Sequence, residues 1–233
     1  MIFNNPLPNL ISDHSHDNFE IILCFFLFWT VFYIIIHLMI GGENTPKMLD
    51  TKNRVVSIVH GLLSLTMASI DVFLHKSSLN EPTSNFQGNI LLCSLGYFLY
   101  DLIACKYYGL FDMDLLIHHT ISGIGLSVGP FFGYGGTCAI MGIVVTEVSN
   151  FPMHLRTILK NFGLRHTKAY EYLERAYFIL YIIARTIFGP WLFVKSVLAP
   201  KNNKITSAVC LLLCLQSFMF IQKMMKIIKA KIL

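Results

Sequence analysis

Apolar runs recur along the chain, parted by short polar stretches, and a helix needs about 20 mostly apolar residues to cross a bilayer. The pattern predicts spans near 19–40, 55–75, 88–108, 115–133, 137–155, 175–198 and 205–227. The first, Phe19 to Ile40, contains no Lys or Arg. The fourth and fifth are short and Gly-rich, joined by Phe132-Gly-Tyr-Gly-Gly136, and read either as two tight spans or as one hairpin. Seven helices are expected, with six as the alternative. The runs are continuous rather than alternating, which argues against a β-barrel. The fold class is therefore all-α and polytopic.

Polar positions inside these runs carry the next signal. A charge at the bilayer centre costs at least ~2.5–3.5 kcal/mol on insertion scales, so such residues face a partner or a wet cavity. In the second span Ser57, His60, Ser64 and Asp71 stand at i, i+3, i+7 and i+14, one stripe at about 100° per residue. Glu147, Asn150 and His154 repeat that spacing in the fifth span, and Asp101 shares a face with Tyr97 and Tyr108 in the third. His118 lies over Ser122, Gly125 and Gly129 in the fourth, with His119 turned about 100° away. The sixth adds Arg185, five residues before Pro190. Five helices with one polar stripe each predict convergence on an internal polar cavity. Ordinary interhelical hydrogen bonding is the alternative for any single residue.

Composition removes whole classes. Of 233 residues 55% are hydrophobic and 13% charged, against roughly 25% charged in soluble domains. Mean hydropathy is +0.60. Disorder, coiled coil and nucleic-acid binding are excluded, and membrane lipids become the expected contacts. The net charge of +5 is modest; its placement is more telling. With seven spans and the N-terminus outside, 13 Lys and Arg (47, 52, 54, 106, 156, 160, 165, 168, 175, 223, 226, 229 and 231) fall on the cytoplasmic side. Only Lys76, Lys195, Lys201 and Lys204 fall opposite, as the positive-inside rule requires for an N-out, C-in chain. No basic start precedes an early apolar run, so the first span reads as a retained anchor. The six Cys lie in spans without CxxC spacing and read as free thiols. The basic, aromatic segment 156–174 is expected to lie at the interface as a helix.

Taken in order, Arg54-Val-Val-Ser57 with His60, Gly96-Tyr-Phe-Leu-Tyr-Asp101-Leu, Asp114-Leu-Leu-Ile-His118-His119, Glu147-Val-Ser-Asn150 with Arg156, and Arg185 before Pro190 resemble the TLC-domain family. That family embraces translocating-chain-associating proteins, longevity-assurance ceramide synthases and smaller TLC-domain proteins of lipid homeostasis, and the likeness is to the smaller subgroup. The resemblance spans roughly 50–225 and implies a six-helix membrane barrel around a lipid-accessible cavity. The resulting division is a non-cytoplasmic tail (1–18), a first anchor (19–40), the TLC domain (50–227) and a Lys-rich cytoplasmic tail (228–233). In the ceramide synthases a paired histidine is implicated in acyl transfer from acyl-CoA, which carries over to His118 and His119. Asp114, one turn before His118, would orient it. Acyl-CoA would then be a substrate, with no tightly bound cofactor and no metal. The chain departs from the ceramide synthases in lacking any acid from Thr120 to Thr146, which counts against that particular activity.

The expected role is a multi-pass protein of lipid homeostasis that binds or acylates a lipid. The candidate catalytic residues are His118, His119 and Asp114, and the cavity residues His60, Asp71, Asp101, Glu147, Asn150, His154 and Arg185. Competing with it are a non-catalytic accessory subunit of a larger membrane complex, with other membrane protein subunits as partners, and a transporter. The last predicts inverted repeats and broken helices, and no convincing pair shows in the sequence. Lys229-Ala-Lys231 resembles an endoplasmic reticulum retrieval signal, the alternative being lysines snorkelling to headgroups. The endoplasmic reticulum is the expected membrane and the mitochondrial inner membrane the alternative. Asp13-His-Ser-His-Asp17 reads as a solvated tail before a metal site.

Overall fold

The computed structural model describes residues 15–232, with side chains from 17 to 226. Asp13 and His14 lie outside the described residues, and so do the side chains of Lys229 and Lys231. Among the described residues, seven helical stretches are long and apolar enough to cross a membrane, in line with seven spans rather than six. They are α1 (Ser15–Met39); α2 (Pro46–Ile70), continued by a π-turn (Asp71–His75); α3 (Asn85–Tyr107); α4 (Met113–Phe132); α5 (Gly136–Glu147) running into α6 (Asn150–Asn161); α7 (Lys168–Ile183), a second π-turn (Ala184–Phe188) and α8 (Gly189–Leu198); and α9 (Lys204–Ile232).

Local chemistry sets where these helices begin. Thr45 caps the Met48 amide at 3.3 Å with Pro46 opening α2. Ser84 and Gln87 form a reciprocal capping box at α3. Asp112 accepts from the Leu115 amide at 2.7 Å to start α4. The segment 156–174 is not a separate interfacial helix. Its first residues finish α6, Gly163 turns the chain at a φ of 76°, and Thr167 caps the Tyr170 amide at 3.3 Å to launch α7. Both parts are thus ends of spans.

Six spans close into a ring. α2 packs on α3, α3 on α4, α4 on α9, α9 on α8, α7 on α6, and α6 back on α2. α1 stands outside, laid along α3. The two meet at Gly96, where an added Cβ would lie 2.6 Å from Phe25 Cβ, and Trp29 donates its indole N–H to the Cys93 carbonyl at 3.3 Å. Trp29, Tyr33, Val56, Tyr97, Tyr100 and Ala104 form the apolar cluster there.

The fifth span is broken, and that break shapes the interior. α5 runs inside the ring and touches α2, α3, α4 and α8. Ala68, Ile90, Leu91, Leu126, Ile140 and Ile143 pack solidly around it. After Glu147 the chain turns through Val148 and Ser149, and α6 continues as wall between α2 and α7. Pro152 supplies no N–H to the Val148 carbonyl one turn back, which fits the break. One end of the barrel is therefore plugged. The other, where α2, α4 and α7 begin and most Lys and Arg lie, is hollow.

Candidate functional site

The hollow end encloses a cavity of about 410 Å³. Nine of the ten expected residues line it: His60, Asp101, Asp114, His118, His119, Glu147, Asn150, His154 and Arg185. A narrower apolar slot of about 60 Å³ continues toward the plugged end between Gly125, Leu126, Gly142, Val209 and Leu213. His60, Phe98, His118 and Glu147 stand on the walls of both.

Asp71 does not belong to this cavity. It is buried at the plugged end, where it accepts from Gln87 Nε2 at 2.8 Å and from the Ser77 hydroxyl at 3.1 Å. Gln87 also donates to Thr137 Oγ1 at 3.0 Å, tying the second span to the third and fifth. Angular coincidence misleads here, since eleven residues of helix put Asp71 about 16 Å along the axis from His60. Asp114 does not orient His118 either. Its carboxylate is exposed at the cavity mouth and meets Lys223 Nζ at 2.5 Å, joining α4 to α9.

The two adjacent histidines differ. His119 Nδ1 lies 3.0 Å from the Leu115 carbonyl, which can only accept, so this nitrogen carries a proton. His119 Nε2 lies 2.8 Å from Asp101 Oδ2. A bare lone pair facing a carboxylate would repel it, so a second proton sits between these two atoms. Both ring nitrogens of His119 are thereby engaged. Asp101 is itself fixed, accepting from Asn53 Nδ2 at 2.7 Å, while Tyr100 donates to Asn53 Oδ1 at 2.7 Å. His118 lines the cavity, as does Gln216, whose amide donates to the Asp114 carbonyl at 3.2 Å.

The remaining walls are ordered in the same way. His60 stacks on Tyr97 with ring centroids 3.8 Å apart and reaches Ser94 Oγ at 3.3 Å. Arg54 donates to His154 Nδ1 at 3.1 Å and to Asp50 at 3.0 Å. Arg has no acceptor atom, so His154 accepts and is neutral there. Asn161 donates to Asp50 at 2.7 Å and to Thr51 at 3.1 Å, fastening α6 to α2. Asn53 and Asp50 are absent from the stripes read off the sequence. Asn53 stands one turn before Ser57, so extending the second stripe toward its N-terminus finds it.

Two buried charges sit at helix irregularities: Glu147 ends α5 at the break, and Arg185 lies in the second π-turn. Such distortions turn a side chain inward without ending the helix, and they gather at functional sites. Glu147 fits because Gly61 faces it; a Cβ there would lie 2.8 Å from Glu147 Oε2.

The TLC-domain profile matches residues 50–229. The chain belongs to the TLC-domain family. It is 25% identical over 184 residues to a TLC domain-containing protein of Arabidopsis thaliana, covering 74% of this chain and 71% of that one. To TLC domain-containing protein 1 of Gallus gallus it is 24% identical over 183 residues (75% and 72%), and to TLC domain-containing protein 4 A of Dictyostelium discoideum 26% over 187 residues (74% and 72%). No solved structure matches. The TLC-domain match and the seven apolar spans make this an integral, multi-pass membrane protein in contact with lipid.

Proposed function

We propose that this TLC-domain protein draws a membrane lipid into its barrel and serves lipid homeostasis. In this reading the polar part of the lipid occupies the hollow end and an acyl chain enters the slot. The observation that carries it is the meeting of a polar chamber and an apolar slot at His118. A chamber for ions or water alone gains nothing from such an apolar extension. Should chemistry follow, it is acyl transfer from the thioester of acyl-CoA, with His118 taking the proton of an attacking amine or hydroxyl and coenzyme A leaving as the thiol. His119 and Asp101 are then the pair that positions the fourth span.

Native mass spectrometry of the full chain in mild detergent tests the reading. A lipid retained at about one per protein supports it. A bare protein, or one holding only detergent, overturns it. Acylation is tested separately, by His118→Ala in cells lacking the native protein. An altered acyl-lipid profile, with the lipid still retained by the purified variant, supports a chemical role; a profile identical to wild type removes it.

A further inference from the structure

Glu147 and Arg185 face the same cavity, yet no direct ion pair joins them. The Glu147 carboxylate accepts from Asn150 Nδ2 at 3.0 Å. The Arg185 guanidinium points elsewhere, toward Ser217 Oγ and the Thr146 carbonyl, each at the long distance of 3.5 Å. Its Nε, buried, has no hydrogen-bond partner among the described residues. Arg185 is 7% exposed and Glu147 8%. Besides these contacts, Arg185 has the ring of Tyr181, 5.2 Å from the guanidinium carbon.

Two opposite charges held apart at this depth are costly unless something supplies the missing partners. Of the other charges on the walls, Asp101 is matched with His119, Asp50 with Arg54 and Asp114 with Lys223, and Asp112 caps the start of α4 through the Leu115 amide. A neutral occupant would leave both Glu147 and Arg185 without a charged contact partner. An occupant with only one charge would satisfy one and leave the other. We infer that the cavity selects a lipid whose head group carries both an ammonium and an anionic group, the ammonium on Glu147 and the anion on Arg185. This rests on the lipid-binding reading above and names the class of lipid within it. The head group then lies where the chamber meets the slot, since Glu147 borders both. Its chain follows the slot past Gly125 and Gly142.

The test uses the full chain in detergent micelles, offered equimolar mixtures of four lipids with identical chains, and reads bound species by native mass spectrometry. The four are phosphatidylethanolamine (both charges), phosphatidylglycerol (anion only), a diacyl trimethylammonium-propane (cation only) and diacylglycerol (neither). Phosphatidylethanolamine is expected to be retained at least about tenfold over each of the others, equivalent to about 1.4 kcal/mol. In Glu147→Gln its advantage over phosphatidylglycerol should vanish, and in Arg185→Gln its advantage over the cationic lipid. The wild-type comparison needs no substitution, so a variant that fails to fold leaves the test intact. Equal retention of all four lipids overturns this inference while the lipid-binding reading stands. Retention of none overturns both.

Discussion

Asp101 and His119 share one proton inside the barrel wall, and their value depends on each other. Removing one partner leaves the other buried and unmatched, at a cost of about 3–5 kcal/mol. Asp101→Leu and His119→Leu should each sharply lower the thermal midpoint of the purified protein. The double variant should lose clearly less than their sum, because neither group is then stranded, with a coupling of about 0.5–3 kcal/mol. Strict additivity in the melts would show that the two are not coupled. Gly61 makes a different demand, for space rather than charge. Gly61→Ala sets a methyl against Glu147 Oε2, and overpacking of this kind costs about 1–3 kcal/mol. The expected outcome is a lower midpoint together with weaker lipid retention; an unchanged pair of values would mean that Glu147 has room to move.

Helix irregularities do more for the interior than helix periodicity does. The stripes on the second to sixth spans were legible because an α-helix repeats every 3.6 residues, so convergence could be inferred from spacing alone. Depth could not. Asp71 shares an angle with His60 and not a level, and the count of residues between them holds the information that the angle discards. The start of α2 was also hidden, since Asp50, Thr51, Lys52 and Asn53 are polar, and only the structure shows that protein rather than lipid faces three of them. Nor does the sequence announce the π-turns that carry Asp71 and Arg185. The break after Glu147 has a legible cause in Pro152. Pro152→Ala restores an N–H to the Val148 carbonyl and should let α5 run straight on into α6. Proline in a helix interior costs about 3 kcal/mol relative to alanine, so the variant should be as stable as wild type or more so. Its lipid retention should fall as the wall closes in. Undiminished retention in native mass spectra would show that proline does not hold the cavity open.

A barrel plugged at one end and hollow at the other has a direction, and the distribution of Lys and Arg gives that direction a side. If the basic end faces the cytosol, the chamber opens there, between the start of α4 and the end of α9. At this mouth Lys223 and Asp114 are linked, and both side chains are more than half exposed. Exposed pairs of this type contribute about 0–1 kcal/mol, so Lys223→Gln should leave the thermal midpoint nearly unchanged. It should speed access to the interior by no more than about fivefold, the factor that 1 kcal/mol allows. The access rate and the side on which the chamber opens can be read with a membrane-impermeant thiol reagent on sealed vesicles, in a background where the six native cysteines are replaced. Asp112→Cys should label only from the cytosolic face and Lys201→Cys only from the other. Asn150→Cys should react slowly from the cytosolic face, and faster once Lys223→Gln is added. Labelling of positions 112 and 201 from the same face would overturn the arrangement of spans. Reaction of position 150 only from the far side would place the opening at the plugged end, against the packing around α5.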